Sequence, residues 1–143
     1  MNIEVRFKRG VQGVSASWIR RLAASALRLE KTKRRLVSIL LTDNKEIRRL
    51  NRDFLKHDYA TDVISFWCEE GKLFGRESDY LGDIVVSVQM ARSFSKKLKI
   101  PFKEELARYV VHGVLHLLGY DDRNPRDREE MHKRQETILS RIL

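Results

Sequence analysis

The apolar segment over residues 103–118 constrains the fold of this chain more than any other feature. Its apolar side chains lie nearly all round the helix that their spacing predicts: Leu106, Val110, Val111, Val114, Leu115, Leu117 and Leu118. A helix that is apolar on all sides is covered by other elements. Gly119 follows, where a left-handed C-terminal cap would end the helix. The sequence therefore predicts a central helix around which the rest of the chain packs.

Four short segments have the pattern of β-strands. Residues 3–8 alternate apolar and charged side chains, as a half-buried strand does, and residues 36–42 form a continuous apolar run suited to a central strand. The other two strands are predicted at 63–67 and 81–87. The polar segment 68–80 between them carries two glycines and is predicted as a loop.

Four further helices are predicted outside the central one. The first begins near Ser15 and ends near residues 31–35. The other three each begin at a residue that can cap a helix, namely Asp43, Ser87 and Asn124. The helix after Ser87 has to end before Pro101.

Four strands and about five helices in irregular order predict an α+β fold, an α/β/α sandwich-like domain with a small four-stranded mixed sheet. A chain of 143 residues can bury one core, so we expect residues 1–143 to form a single domain. Cys68 is the only cysteine and cannot form an internal disulfide. With no apparent secretory signal or membrane-spanning run, we expect a cytoplasmic protein with no membrane partner.

The basic residues are unevenly distributed along the chain. Residues 1–56 contain 15 Lys/Arg and 5 Asp/Glu, whereas residues 57–143 contain 14 and 15. Such asymmetry is typical of a surface that binds a phosphate backbone, because each basic group near a phosphate releases condensed counterions. The alternative, arginine-rich helix faces that are merely solvated, fits the composition equally well.

Two histidines, His112 and His116, interrupt the apolar helix four positions apart. Residues at i and i+4 lie one turn apart on the same face of a helix, so both imidazoles can converge on one metal ion. A catalytic zinc site requires three protein ligands and an open position. Asp122, just beyond the Gly119 turn, is near enough in sequence to be the third. The pattern predicts a metal site formed by His112, His116 and Asp122.

The alternative is that both histidines are core residues hydrogen-bonded to the backbone. Two buried imidazoles are costly unless each nitrogen has a partner, and one metal ion would satisfy both rings, which favours the metal interpretation. Zinc peptidases carry the helix motif H-E-x-x-H, whose glutamate is the general base. Gly113 takes that position here and disfavours a peptidase. His132 is the spare ligand if Asp122 does not bind the metal.

Three stretches together resemble the YbeY family of single-strand-specific, metal-dependent endoribonucleases. The stretch "HGVLHLLGYDD", residues 112–122, matches the family signature H-G-x-L-H-L-x-G-Y-D-H except at its last position. The stretches "LNRDFLKHDYATDVISF" and "LGDIVVS", residues 50–66 and 81–87, are similar to two further family motifs. The resemblance spans essentially the whole chain.

The resemblance implies a hydrolase that processes ribosomal RNA, notably at the 3′ end of the small-subunit RNA, and that acts in ribosome quality control. It implies one zinc ion per chain and, as partners, RNA and the ribosome or small-subunit assembly factors. His112 and His116 match the first two ligands and would be the catalytic residues through the metal they hold. Asp122 stands where the family has a third histidine; its charge makes a harder metal such as Mn²⁺ or Mg²⁺ an alternative.

A second departure from the family concerns the RNA contact, because Leu55 stands where the family motif carries an arginine thought to contact the substrate phosphate. The predicted nucleic-acid-binding residues all lie in the basic first part of the chain: Lys33, Arg34, Arg35, Arg48, Arg52 and Lys56. A leucine cannot stabilise charge that develops on a phosphate. A ribosome-associated RNA-binding factor with a structural metal therefore stays open beside the nuclease, as does a metal-dependent peptide hydrolase, which Gly113 disfavours.

Overall fold

The computed structural model describes residues 2–33, 36–67, 72–73, 76–77 and 79–143. The strands are β1 (Asn2–Phe7), β2 (Leu36–Thr42), β3 (Val63–Trp67), β4 (Lys72–Leu73), β5 (Arg76–Glu77) and β6 (Tyr80–Ser87). The helices are α1 (Ala16–Leu29), α2 (Asn44–Leu55), α3 (Val88–Leu98), α4 (Phe102–Leu117) and α5 (Pro125–Ile142). Within these residues no helix combines the length and apolar character needed to cross a membrane.

The main sheet has four strands in the order β1-β2-β6-β3. The first three are parallel, and β3 runs antiparallel to β6 at the edge. The prediction of an α+β fold with a four-stranded mixed sheet and five helices is confirmed. The prediction of a loop over 68–80 is wrong in part, because β4 and β5 form a small antiparallel pair there and Tyr80 begins β6. Strands of two residues are too short to show a period in the sequence.

The two faces of the sheet bury different helices, because successive side chains of a strand point to opposite faces. Ile39 and Ile84 belong to the large core, which includes α1, α4 and α5. Val85 and Ile64 belong to a smaller cluster with Ile47 of α2. Helix α2 therefore covers one face and α4 lies on the other, the layered arrangement that the element order predicted.

Helix α4 is the centre of the large core, as its sequence predicted. It contacts α1, α3, α5 and the strands β3 and β6. Val110, Val114 and Leu115 have no exposed surface. Gly113 allows the close contact with the sheet, because a Cβ atom placed there would lie 2.6 Å from Cγ2 of Ile84.

The helix ends are fixed mainly by the predicted caps. The Asp43 side chain accepts a hydrogen bond from the backbone N–H of Glu46 at 2.9 Å, and Ser87 and Asn124 cap α3 and α5 in the same way. Helix α1 ends at Leu29, slightly before the predicted 31–35. Lys31 has a φ of 55°, and this left-handed conformation stops the helix.

Candidate metal centre and its cavity

The two histidines of α4 lie side by side on one face of the helix. Their ring centroids are 4.7 Å apart and the ring planes are nearly perpendicular. Both side chains are half-buried, whereas the residues between and around them, Gly113, Val114 and Leu115, are buried. The i, i+4 spacing therefore brings both imidazoles to one edge of the core, as the sequence predicted.

The turn after α4 brings the chain back beside His116. The N–H of Tyr120 bonds to the carbonyl of Leu115 and the N–H of Gly119 to that of His116, both at 3.1 Å. These two bonds form a Schellman motif, and Gly119 takes the left-handed conformation it requires, with a φ of 99°. The reversal places Asp122 next to the helix, with its Oδ2 atom 3.5 Å from Nε2 of His116.

His112, His116 and Asp122 form a cluster that could hold a metal ion. One ligand atom from each residue lies within 4.8 Å of the other two. Ligand atoms about a zinc ion with bonds of about 2.0 Å would be ~3.3 Å apart, so small side-chain rotations would complete the geometry. The donor set of two imidazoles and one carboxylate is an ordinary catalytic set for a divalent metal. The residues present therefore fit the metal that the sequence predicts.

Both imidazoles have their Nδ1 atoms engaged in hydrogen bonds. Nδ1 of His116 lies 3.1 Å from the backbone carbonyl oxygen of Tyr120, and Nδ1 of His112 lies 2.7 Å from Oε1 of Gln135. An acceptor at Nδ1 leaves Nε2 of a neutral ring as the lone-pair donor for a metal. Burial lowers the pKa of His112 and keeps it neutral. The alternative, in which both are core histidines bonded to the backbone, fits Nδ1 of His116. It explains neither the side-chain contact of His112 with Gln135 nor the position of Asp122 beside Nε2 of His116.

Two members of the cluster, His112 and Asp122, line a cavity of about 340 Å³ between α4, α5 and the residue before β3. Its lining residues are Asp62, Glu105, Arg108, Tyr109, His112, Asp122, Arg128, Met131, His132 and Gln135. Burial, together with the nearby Glu105, raises the pKa of Tyr109, which keeps its hydroxyl protonated. His132, the predicted spare ligand, lines this cavity but lies outside the three-residue cluster.

Of the α5 residues that line this cavity, the sequence pointed to His132 but not to Arg128, Met131 and Gln135. A signal for Gln135 was present, because the buried positions of α5 are Met131, Gln135, Ile138 and Leu139. A glutamine at such helical spacing among apolar residues has to find a hydrogen-bond partner inside the protein. Gly113, by contrast, faces Ile84 and Val63 of the sheet, so the position leaves no room for the glutamate that a peptidase would place there.

The predicted nucleic-acid-binding residues do not form one cluster. Arg48 and Arg52 lie together in a groove of about 800 Å³ beside α2. The other lining residues of this groove are Lys8, Asn44, Lys45, Glu46, Arg49, Asp58, Tyr59 and Ala60. Basic side chains of this groove form ion pairs with carboxylates; for example, Nε of Arg48 lies 2.9 Å from Oδ1 of Asp58. Such exposed pairs contribute little, so an anionic ligand can replace the carboxylate.

The remaining predicted RNA contacts are placed elsewhere or not described. Lys33 is exposed in the connection between α1 and β2, and Arg34 and Arg35 lie outside the described residues, as does Cys68. Lys56 has the left-handed conformation that ends α2. Leu55, which precedes it, is 43% exposed.

Comparison with known proteins gives one consistent result. A family model described as Endoribonuclease YbeY matches residues 4–143. An Endoribonuclease YbeY of Syntrophus aciditrophicus is 34% identical over 141 residues, which cover 97% of this chain and 88% of that protein. Another, from Bacteroides fragilis, is 35% identical over 127 residues, covering 88% and 84%. A solution structure of a Thermotoga maritima protein has a similar fold, with a TM-score of 0.67 and 24% identity over 99% of this chain and 89% of that one.

Proposed function

We propose that this chain, which belongs to the Endoribonuclease YbeY family, is a metal-dependent endoribonuclease that cleaves single-stranded RNA. The proposal rests on the cluster of His112, His116 and Asp122, in which His112 and Asp122 line a cavity. We further propose that residues 1–143 form one metal-hydrolase domain. His112 and His116 would be catalytic through the metal they hold, with Asp122 as the third ligand.

The metal is proposed to be zinc, one ion per chain, because two imidazoles and a carboxylate are ligands that zinc accepts. When bound, such a metal supplies Lewis-acid chemistry, which polarises a phosphodiester oxygen and makes bound water more acidic. The Asp122 carboxylate adds negative charge to the site, so Mn²⁺ or Mg²⁺ is the alternative. This chain's own residues hold the site: Tyr120 and Gln135 orient the two rings.

The basic groove and the metal cavity are joined by the segment after α2. Tyr59 and Ala60 line the groove and Asp62 lines the cavity. Three residues of extended chain span at most ~11 Å, so an RNA strand held in the groove can reach the cavity by crossing this segment. The exposed ring of Tyr59 offers a stacking surface beside the cations, a combination typical of sites for single strands.

Neutralising the groove is predicted to weaken RNA binding without removing the metal. In the double variant Arg48→Gln/Arg52→Gln, the slope of log affinity against log salt for a single-stranded RNA should fall by about 1.4, since each lost phosphate contact accounts for ~0.7. The charge-matched control is Arg126→Gln/Lys133→Gln, at exposed positions of α5. Fluorescence anisotropy at several salt concentrations measures both. If the salt dependence of RNA affinity has the same slope in both variants, the RNA does not bind in this groove.

Arg128 is proposed to supply the phosphate contact that Leu55 cannot. It lines the metal cavity, and its Nε donates to the backbone carbonyl of Asp122 at 3.3 Å. Arg108, the other arginine of the cavity, is held by Glu105 and Glu136. Among the described residues Arg128 forms no ion pair within 4.0 Å, so its charge is available to a phosphate.

Replacement of Arg128 by alanine is therefore predicted to slow cleavage more than it weakens binding. Loss of one group that stabilises transition-state charge lowers kcat by roughly 10²–10³-fold. The control is Arg126→Ala, which removes the same charge from an exposed position of the same helix. Single-turnover cleavage of a labelled RNA measures the effect; equal rates in the two variants would remove Arg128 from the reaction.

The biological setting is proposed from the family resemblance. It comprises ribosomal RNA maturation, notably at the 3′ end of the small-subunit RNA, and ribosome quality control in the cytoplasm, with the ribosome or small-subunit assembly factors as partners. A second candidate function, an RNA-binding factor with a structural metal, is favoured by Leu55 alone.

Chelation distinguishes the two functions. The protein is incubated with a single-stranded RNA and with the matching duplex, before and after metal removal. The nuclease predicts cleavage of the single strand only, lost on chelation and regained with zinc. The RNA-binding factor predicts binding that survives chelation and no cleavage under any condition.

A further inference from the structure

The hydrogen bond between His112 and Gln135 raises the question of which partner donates. The contact joins Nδ1 of His112 to the amide oxygen of Gln135 at 2.7 Å, and Gln135 is only 5% exposed. A glutamine amide can present either its oxygen or its NH₂ group, and a neutral imidazole carries its proton on either nitrogen. The orientation of this amide therefore decides which nitrogen of His112 keeps a lone pair.

The NH₂ end of the Gln135 amide contacts a carboxylate, which can only accept hydrogen bonds. Its Nε2 donates to Oε2 of Glu136 at 3.0 Å. Glu136 is held in turn by Arg108, whose Nε and Nη2 donate to its two oxygens at 3.0 and 3.1 Å. This bidentate pair lowers the pKa of Glu136 and keeps the carboxylate ionised.

Arg108 is itself fixed by a second carboxylate. Its Nη1 donates to Oε1 of Glu105 at 2.8 Å, and Glu105 is buried. An arginine can only donate hydrogen bonds and a carboxylate can only accept them. The direction of each hydrogen bond from Glu105 through Arg108 and Glu136 to Gln135 is therefore determined. The NH₂ group of Gln135 has to face Glu136, and its oxygen has to face His112.

We propose that Gln135 is a positioning residue that fixes the proton of His112 on Nδ1 and so directs the Nε2 lone pair toward the metal site before metal binds. The proposal rests on the proposed function only in taking His112 as a metal ligand. His116 provides an internal contrast, because its Nδ1 bonds to the backbone carbonyl of Tyr120. No side-chain substitution removes that acceptor, whereas the acceptor for His112 depends on α5.

The test reads the proton position directly in metal-free protein. Long-range ¹H–¹⁵N correlation spectra at pH 8, where ordinary imidazoles are neutral, distinguish the two tautomers of each histidine. The unaltered protein should show the proton on Nδ1 of both His112 and His116. In Gln135→Met, which removes the acceptor with little change in volume, His112 should lose this preference and His116 should keep it.

Two further variants keep the test decisive if Gln135→Met fails to fold. Gln135→Glu/Glu136→Gln exchanges the two groups, so that a carboxylate oxygen at position 135 still faces His112 while the amide at position 136 donates to that carboxylate, and His112 should retain the Nδ1 proton. Glu136→Gln, at a partly exposed position, allows the neighbouring amide to turn over, so His112 should show both tautomers. Gln12→Met, in the exposed loop before α1, is the matched control and should match the unaltered protein.

Metal affinity provides the second measurement. Loss of a group that orients a ligand typically costs 10–100-fold in affinity, so Gln135→Met should bind zinc that much more weakly in competition with a chromophoric chelator. Gln135→Glu/Glu136→Gln, which keeps the net charge, should not show this loss. A proton on Nε2 of His112 in the unaltered protein, or an unchanged tautomer and affinity in Gln135→Met, would overturn the proposal. Neither result depends on RNA cleavage, so failure here is distinct from failure of the nuclease function.

Discussion

Replacement of His116 by alanine is expected to remove the bound metal and to lower kcat for RNA cleavage by at least ~10³-fold. Only one imidazole and one carboxylate would remain, and a catalytic site requires three protein ligands. A Lewis-acid metal supplies several kcal/mol of transition-state stabilisation, and about 4 kcal/mol corresponds to three factors of ten. Elemental analysis of the purified variant, with single-turnover cleavage of a labelled RNA, measures both effects.

The matched control for this variant is His132→Ala. His132 lines the cavity together with His112 and Asp122 but lies outside the ligand cluster, so this variant should keep its metal. RNA affinity should be similar in both variants, because the basic groove lies beside α2, on the other face of the sheet. A His116→Ala protein that holds a full complement of metal, or that cleaves RNA at an unchanged rate, would show that the cluster is not the catalytic centre.

Replacement of Gly113 by alanine is expected to destabilise the protein although alanine favours helices. The helical preference would contribute up to about 1 kcal/mol, whereas overpacking typically costs 1–3 kcal/mol. The new Cβ would lie 2.6 Å from Cγ2 of Ile84 and 3.2 Å from Cγ2 of Val63. Both are β-branched strand residues that cannot turn aside easily. The contact should push α4 away from β6 between the two histidines, so metal affinity should fall together with the melting temperature.

A double-mutant cycle isolates this contact. In an Ile84→Ala background, which removes the clashing atom, Gly113→Ala should no longer destabilise the protein and should have the stabilising effect of a helix former. Urea unfolding of metal-free protein measures the free energies of all four proteins. If Gly113→Ala costs the same in both backgrounds, or stabilises the unaltered protein, then the glycine is not needed for the contact between helix and sheet.

The centre of the fold could be predicted because local signals and burial agree there. The apolar pattern of residues 106–118 indicated a buried helix, and Gly119 indicated how it ends. The same glycine turn explains why Asp122 could be predicted to return toward His116. Strand β2 could also be predicted from its continuous apolar run, because Val37, Ile39 and Leu41 are buried in the large core and Leu40 packs against the smaller cluster.

The contacts of α5 could not be predicted in the same way. Gln135 and Arg128 reach the metal cavity only because α5 packs on α4, and no local pattern gives the relative rotation of two helices. The spatial arrangement of the basic residues in the first part of the chain could not be predicted for a related reason. Arg48 and Lys33 are near in sequence but belong to different elements, and the groove forms only when α2 covers its face of the sheet.

Metal dependence is best measured by titrating metal-free protein with Zn²⁺ while bound metal and the rate of single-stranded RNA cleavage are determined on the same samples. If His112, His116 and Asp122 form the catalytic centre, cleavage is absent without metal, rises in proportion to bound zinc and levels off at one ion per chain. The Asp122→Ala variant should need a higher free zinc concentration to reach its plateau. Cleavage that persists in metal-free protein, or a protein that binds neither Zn²⁺ nor Mn²⁺, would show that this cluster is not the catalytic metal centre.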